Sequence, residues 1–461
     1  MRDGADAPGA QGGAVGSWWF FGARNRKRCG GVFEKDNVSV EKDIVSTVTH
    51  NLPISETVEP GDAAELAECV ASCYRADAPV YPLGGETSLD FGLTAKRQGT
   101  GLSLARMQRV IDYPAADMTV TVEAGVTMQA LTELLGKHKQ QLPIDVPQPD
   151  RATVGGVVAT NWCGPRRYGH GTVRDYVIGV RAVDGTGRPF RGGGRVVKNV
   201  AGYDFCKLLV GSMGTLGVIT ELTFKLKPLA ENSIYVVTTA KDLAEADRLL
   251  NGLVRSETTP TAIELLGGPE WETEAALTDG GRSPAQGHFM VAVGIEGTLG
   301  EVDWMADQLA AEWKSQRVAR SWVVSGHAGR ELGRRLNEFS ASEAPLVIKA
   351  SIAPSGVTGF IETVRAVDAQ CSIQAHAGSG IVIARFSQFP AEGLSRTIVG
   401  KLHPAAVAAQ GSLIVLANAS GSEMTAQSAW GAGDQPHELM TAVKRRFDPK
   451  NLLNPGRFLF P

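Results

Sequence analysis

Apolar and polar positions recur at two different periods along this chain, and each change of period marks a new element. Asp62 with Glu65 three residues on is a capping-box spacing, and Leu66, Cys69, Val70 and Cys73 then recur at i, i+3, i+4 and i+7. The pattern predicts an amphipathic helix with both cysteines in its apolar stripe. Residues 79–83 (PVYPL) predict a short strand, and residues 119–123 a second with Val120 and Val122 on one face. Thr127 can cap a helix whose stripe is Leu131, Leu134, Leu135 and His138, the last read as a surface or interface histidine. Further on, strand-period segments at 234–239, 288–295, 346–352, 371–376, 380–386 and 413–417 alternate with helical ones such as 299–313. This part predicts an antiparallel sheet with helices on one face.

Between these two regions lies a different texture. Across residues 149–227 about one residue in five is glycine, an entropic cost a chain carries where φ is positive or where main chain must touch a ligand directly. β-branched runs at 157–158, 177–180 and 218–222 read as strands between the glycine loops. Four loops are candidate anion cradles built from backbone N–H groups: residues 84–88 (GGETS), 153–156 (TVGG), 164–173 (GPRRYGHGTV) and 211–220 (GSMGTLGVIT). A plain Gly-Gly turn is the alternative at 84–85, and Glu86 suits a phosphate site only if its carboxylate points outward. None of the loops is a nicotinamide fingerprint, and no GxxxxGK[ST] occurs.

With 461 residues, two or three domains are expected. A net charge of −3 provides no basic stripe for nucleic acid, and no window approaches the roughly 18 apolar residues of a membrane span. The 6 cysteines (Cys29, Cys69, Cys73, Cys163, Cys206, Cys371) contain no CxxC, so an iron–sulfur cluster or zinc ribbon is not expected. Reduced thiols in a cytoplasmic protein are the simpler reading. Residues 1–45 carry one short apolar cluster, Trp18, Trp19, Phe20 and Phe21, followed by basic residues, the wrong order for a signal peptide. They are expected to be a disordered extension, read as an over-called start.

Five segments in order resemble the vanillyl-alcohol-oxidase (PCMH-type) flavoproteins, and more closely the FAD-binding E-type subunits of glycolate oxidase. They are PVYPLGGETSLDFG from Pro79, DMTVTVEAGVTM from Asp117 and ATVGGVVATNWCGPRRYGHGTVRDYVIG from Ala152, then VVKNVAGYDFCKLLVGSMGTLGVITE from Val196 and FDPKNLLNPGRF from Phe447. The resemblance implies an α+β fold: an FAD-binding domain of two α+β subdomains over 46–229, a cap over 230–415, and a segment 416–461 returning to the FAD domain. It places Gly84, Gly85, Glu86, Thr87 and Ser88 at the pyrophosphate, and Pro149, Thr153, Gly155 and Gly156 along flavin and pyrophosphate. Arg167, Tyr168, Gly169, His170, Gly171, Thr172 and Val173, with Gly217, Val218 and Ile219, would close over ribityl and adenine, and Asn454 and Arg457 would return to the cofactor. Relatives that attach flavin covalently use a histidine where Glu86 stands and a cysteine where Arg151 stands, so non-covalent FAD is expected.

Oxidising a 2-hydroxy acid needs a base for the hydroxyl proton and a cation for the carboxylate. His376, at a strand end in HAGSG, is the candidate base, with a histidine hydrogen-bonded to backbone as the plain alternative. Relatives continue that turn with Asp and Asn and hold a metal there; Ser379 and Gly380 stand here instead, so no metal is expected. Arg385 is the candidate for the carboxylate, against an ordinary cross-strand ion pair. Lys198, Asn199 and Tyr203 are expected to place a turn against the FAD domain. The resemblance implies oxidation of glycolate or D-lactate, with electrons leaving to a separate iron–sulfur subunit or a quinone beside a D-type flavoprotein subunit. Any contact with the inner face of a membrane would run through such a partner. A non-catalytic flavin-bearing scaffold and a stand-alone flavin alcohol oxidase are the competing readings.

Overall fold

The computed structural model describes residues 52–194, 203–278, 285–341, 343–421, 423–431 and 437–458. The expectations for residues 1–45 and for Lys198 and Asn199 fall outside them.

The N-terminal half holds two sheets. Ile54–Val58, Gly99–Ser103 and Val80–Leu83 form a three-stranded parallel sheet in that order, crossed over by the helix Ala63–Ala76. Asp62 caps the helix, accepting from the Ala64 and Glu65 amides at 2.8 and 2.9 Å, and Leu66 and Val70 face the core. The second sheet is antiparallel and five-stranded, in the order Val110–Asp112, Thr119–Glu123, Val218–Lys225, Val177–Val183, Pro189–Gly193. The helix Met128–Gly136 begins where Thr127 Oγ1 accepts the Ala130 amide. His138 at its end is exposed and meets the ring of Tyr113 edge-on.

Residues 157–158 are not a strand. They lie in the helix Val154–Thr160, started by Thr153, whose hydroxyl accepts the Gly156 amide, and ended by Asn161 in the left-handed region at φ 53°. The β-branched pair read as extended because sequence spacing does not reveal the cap. Gly155 packs so closely that a Cβ would stand 2.8 Å from Ala124 Cβ, anchoring the helix on the end of Thr119–Glu123.

The C-terminal half is an eight-stranded sheet, every pair antiparallel, in the order Ser321–Val324, Asn232–Ala240, Phe289–Gly297, Ala262–Gly267, Ser372–His376, Ile381–Phe386, Leu346–Ser351, Ser412–Asn418. Two of these strands, Ala262–Gly267 and Ser321–Val324, went unread in the sequence. The first carries Glu264 in the middle of an apolar run, and the second has only four residues (SWVV) at the sheet's edge. Helices cover one face, where Leu249, Val302, Leu309, Phe360, Ile361 and Ile398 pack on Val236, Val291, Ile348 and Val382. The opposite face, with Val237, Leu266, Met290, Val347, Ile381 and Ile383, meets the helix Gly326–Glu338 and also Phe91 and Trp162 from the N-terminal half. That second face is where a site can form. No helix among the described residues is long and apolar enough to cross a membrane.

Candidate functional site

Three glycine-bearing loops converge on one cleft. Its wall is formed by residues 82–89, by Thr153, Gly155, Gly156 and Val157, and by Met213, Gly214, Gly217, Val218 and Ile219, with Asn454 and Arg457 completing it. The first two loops touch through main chain: a Cβ on Gly85 would stand 1.7 Å from the Arg151 carbonyl oxygen, and one on Gly84 would stand 2.4 Å from Thr153 Oγ1. Only glycine permits this approach. Glu86 between them adopts a left-handed backbone, φ 60°. Leu83, Leu104, Val146 and Val157 supply an apolar wall. Main-chain donors, an apolar wall and one buried arginine are a set that suits a dinucleotide with an aromatic ring system and a diphosphate.

Residues near the far end of the chain lock these loops together. The Val80 amide donates to Leu452 O at 2.8 Å and the Asn454 amide to Val80 O at 3.0 Å, which adds Leu453 to the edge of the parallel sheet. Asn454 Nδ2 donates to Met213 O at 2.8 Å, and Arg457 donates to the carbonyls of Leu89 and Phe91, each at 2.6 Å. Burial pushes the Arg457 guanidinium down to about 10, with Asp90 and Tyr81 opposing. Lys444 adds a buried tie, donating to Thr215 O, Leu453 O and the Asp448 carboxylate at 2.8, 3.0 and 2.6 Å.

The segment from Arg167 to Val173 is not part of this lining, nor is Pro149, whose carbonyl accepts the Gln129 amide. Its glycines and basic residues serve the seam between the two halves. The Gly169 amide donates to Thr261 O at 3.0 Å, and Tyr168 covers Gly378, where a Cβ would stand 2.6 Å from the ring. His170 Nε2 lies 2.9 Å from Glu296 Oε2, Gly171 has φ 89°, Thr172 caps a short helix and Val173 is core. Just before them, Arg166 bridges Asp145 at 2.7 Å and Glu296 at 3.1 Å. Loop glycines that admit a cofactor and loop glycines that admit a neighbouring strand look alike in sequence.

His376 is buried, 3% exposed, at the end of Ser372–His376 on the sheet face turned toward Trp162. Its partner is a side chain and not backbone: Nδ1 lies 2.9 Å from the carboxylate of Glu264, to which Gln374 Nε2 also donates at 2.9 Å. Arg385 is committed elsewhere, in an ion pair with Glu270 and donating to Glu343 O at 2.7 Å, with Phe339 under its guanidinium. Tyr203 is exposed. Two members of this face were missed in the sequence, Glu264 and Lys349. Each is a charge in mid-strand among apolar neighbours (AIELLG, LVIKAS), a pattern that marks a side chain with a specific partner or task. Lys349 Nζ lies 5.5 Å from the ring centroid of Trp162, and Trp162 lines both the cleft and an adjoining cavity of about 780 Å³ that runs between residues 86–91 and 416–420.

Comparison with known proteins names the class to which this cleft belongs. Residues 54–193 match an FAD binding domain, and residues 229–458 match the C-terminal domain of FAD linked oxidases. The D-lactate dehydrogenase of Archaeoglobus fulgidus is 27% identical over 429 residues, 87% of this chain and 90% of the relative. The glycolate oxidase subunit GlcE of Escherichia coli is 39% identical over 172 residues, 37% of this chain and 48% of that subunit. The structure of an alkyldihydroxyacetonephosphate synthase superposes with a TM-score of 0.64 at 17% identity, covering 87% of this chain and 75% of that one. The chain belongs to the FAD-linked oxidases, with the α+β, PCMH-type fold that the resemblance of its five segments implied. It is an FAD-linked oxidoreductase, and FAD is its cofactor.

Proposed function

We propose that this chain oxidises a small 2-hydroxy acid, glycolate or D-lactate, and hands the electrons to a separate iron–sulfur partner or a quinone. Bound FAD supplies the hydride acceptor. The backbone of residues 84–88 and of Thr153, Gly155 and Gly156 holds the diphosphate, where each charge-assisted N–H bond contributes about 1.5–3 kcal/mol. Gly217, Val218, Ile219, Asn454 and Arg457 close the cleft. His376 takes the hydroxyl proton at Nε2, because Glu264 occupies Nδ1.

The observation that carries this reading is the Glu264–His376 pair. A carboxylate that is 0% exposed orients an imidazole on the face of the sheet whose Ile381 and Ile383 pack with Trp162, a wall of the cleft. Anaerobic mixing of the FAD-loaded protein with D-lactate or glycolate tests it; bleaching of the flavin absorbance is expected.

A second reading is a flavin-bearing subunit that supports a catalytic D-type flavoprotein without turning over substrate itself. The higher identity to GlcE over 172 residues, and Ser379 and Gly380 after His376, favour it. Flavin that neither acid bleaches, in a protein that co-purifies with a cysteine-rich subunit, decides for the second reading.

A further inference from the structure

The cavity of about 780 Å³ beside the cleft takes no part in the chemistry derived so far. Residues 86–89, Pro147 and Trp162 line both spaces, so a molecule in the cavity lies against the wall of the cofactor's cleft. Small-molecule sites of roughly 300–1,000 Å³ hold drug-sized ligands, and an acid of the size of glycolate leaves most of such a space empty. The charge of the lining is also wrong for an acid. Glu86, Asp90 and Glu343 stand against the single guanidinium of Arg151, so an anion is repelled where a neutral molecule is not. That guanidinium has no acidic partner among the described residues. The remaining walls carry the rings of Phe91, Trp162 and Phe389, with the side-chain amides of Gln148 and Asn418. Rings for stacking, together with amide and guanidinium donors, suit a flat neutral molecule whose oxygens accept hydrogen bonds.

We propose that this cavity receives a quinone, the acceptor that returns reduced FAD to FAD, with Arg151 as the charge that meets the quinone oxygen. The inference rests on the 2-hydroxy-acid oxidation read above and deepens it, by giving the electrons a small-molecule exit at a defined place. Atoms and electrons balance. Reduced FAD gives up two electrons and two protons, the two C=O groups of the quinone become C–OH, and the quinol leaves. Negative charge develops on a quinone oxygen as the electrons arrive ahead of the protons, and a guanidinium without a counter-charge of its own is placed to stabilise it. The apolar wall of Leu89, Pro345 and Leu416 accommodates the start of an alkyl tail.

The test uses the full FAD-loaded chain. An azidobenzoquinone with a ten-carbon tail, photolysed on the protein and traced by peptide mass spectrometry, should label peptides containing residues 86–91 or 416–420. Excess decylubiquinone should suppress the label, and oxalate should not. Ala344→Trp, which fills the cavity from a half-buried wall position, should reduce the labelling at least about tenfold in a protein that retains its FAD. Reoxidation of light-reduced flavin by decylubiquinone should slow at least about tenfold in Arg151→Gln and recover in part in Arg151→Lys. Label found only outside these peptides overturns the proposal, and this result does not depend on how any variant folds. So does suppression by oxalate, which assigns the cavity to the acid, and so does unchanged labelling in a folded, yellow Ala344→Trp protein. Specific labelling of a protein whose flavin no 2-hydroxy acid bleaches keeps the quinone site and removes the dehydrogenase reading. Bleaching by such an acid without specific labelling does the reverse and leaves a protein partner as the acceptor.

Discussion

Both carboxylate oxygens of Glu264 lie 2.9 Å from Nδ1 of His376, across the paired strands Ala262–Gly267 and Ser372–His376. An ionised carboxylate only accepts, so Nδ1 carries the proton and Nε2 keeps the lone pair. His376→Ala is expected to lower the rate of flavin reduction by at least about tenfold, the loss of a general base. Glu264→Gln acts through His376: an amide no longer accepts only, so the ring loses the partner that fixes its tautomer, and kcat for flavin reduction should fall about tenfold with KM little changed, Glu264→Asp restoring part of it. Flavin reduction at an unchanged rate in Glu264→Gln assigns Glu264 to packing alone.

Gly85→Ala places a methyl group 1.7 Å from the Arg151 carbonyl oxygen. Neither loop can yield without opening the cleft, so the protein should lose about 2 kcal/mol of stability and its FAD together. Denaturant melts with flavin content measured on the same samples check this; a stable, yellow Gly85→Ala protein contradicts the close approach.

Position 86 is glutamate and position 151 arginine, neither able to form the histidyl or cysteinyl flavin link of relatives. Acid or urea should therefore release all the yellow colour into the filtrate, leaving a colourless polypeptide. Colour that stays with the chain would require another attachment residue.

Glu296 is held below its ordinary value of 4.5: burial opposes, and the hydrogen bond from His170 and the charge of Arg166 outweigh it. A depressed carboxylate contributes stability that is complete above its unfolded value and is lost as pH falls through the folded one. Melting temperature should thus fall as pH drops below about 4.5. Glu296→Gln should cost about 3 kcal/mol at neutral pH, because Arg166 and His170 lose a shared counter-charge, and should flatten the acid dependence. Parallel melts of the two proteins between neutral and acid pH provide the measurement.

Periodicity made most of the eight-stranded sheet legible. The strands Asn232–Ala240, Phe289–Gly297, Leu346–Ser351 and Ile381–Phe386 each hold a run of at least three β-branched, aliphatic or aromatic residues, and the helix Leu299–Ser315 shows its capping box, Thr298 with Glu301. The cleft residues at 84–88, 153–156 and 217–219 were visible because backbone contact demands glycine. Less visible was what the other glycines serve. Residues 167–173 resemble a cofactor loop, but Gly169 admits Thr261, the residue just before the strand Ala262–Gly267. Nor does local sequence show pairing at long range: Glu264 meets His376 112 positions away, and Arg166 meets Glu296 130 away.

The tie between Val80 and Leu453, with Arg457 drawn under the carbonyls of Leu89 and Phe91, joins early residues to very late ones. Synthesis runs from the N-terminus at about 5–20 residues per second, so the glycine loops emerge well before their clasp. A ribosome-bound chain stalled before residue 444 holds every loop of the cradle and none of its latch. The cleft's shape is thus held by residues far from it in sequence: Arg457 meets Leu89 368 positions away and Asn454 meets Met213 241 away.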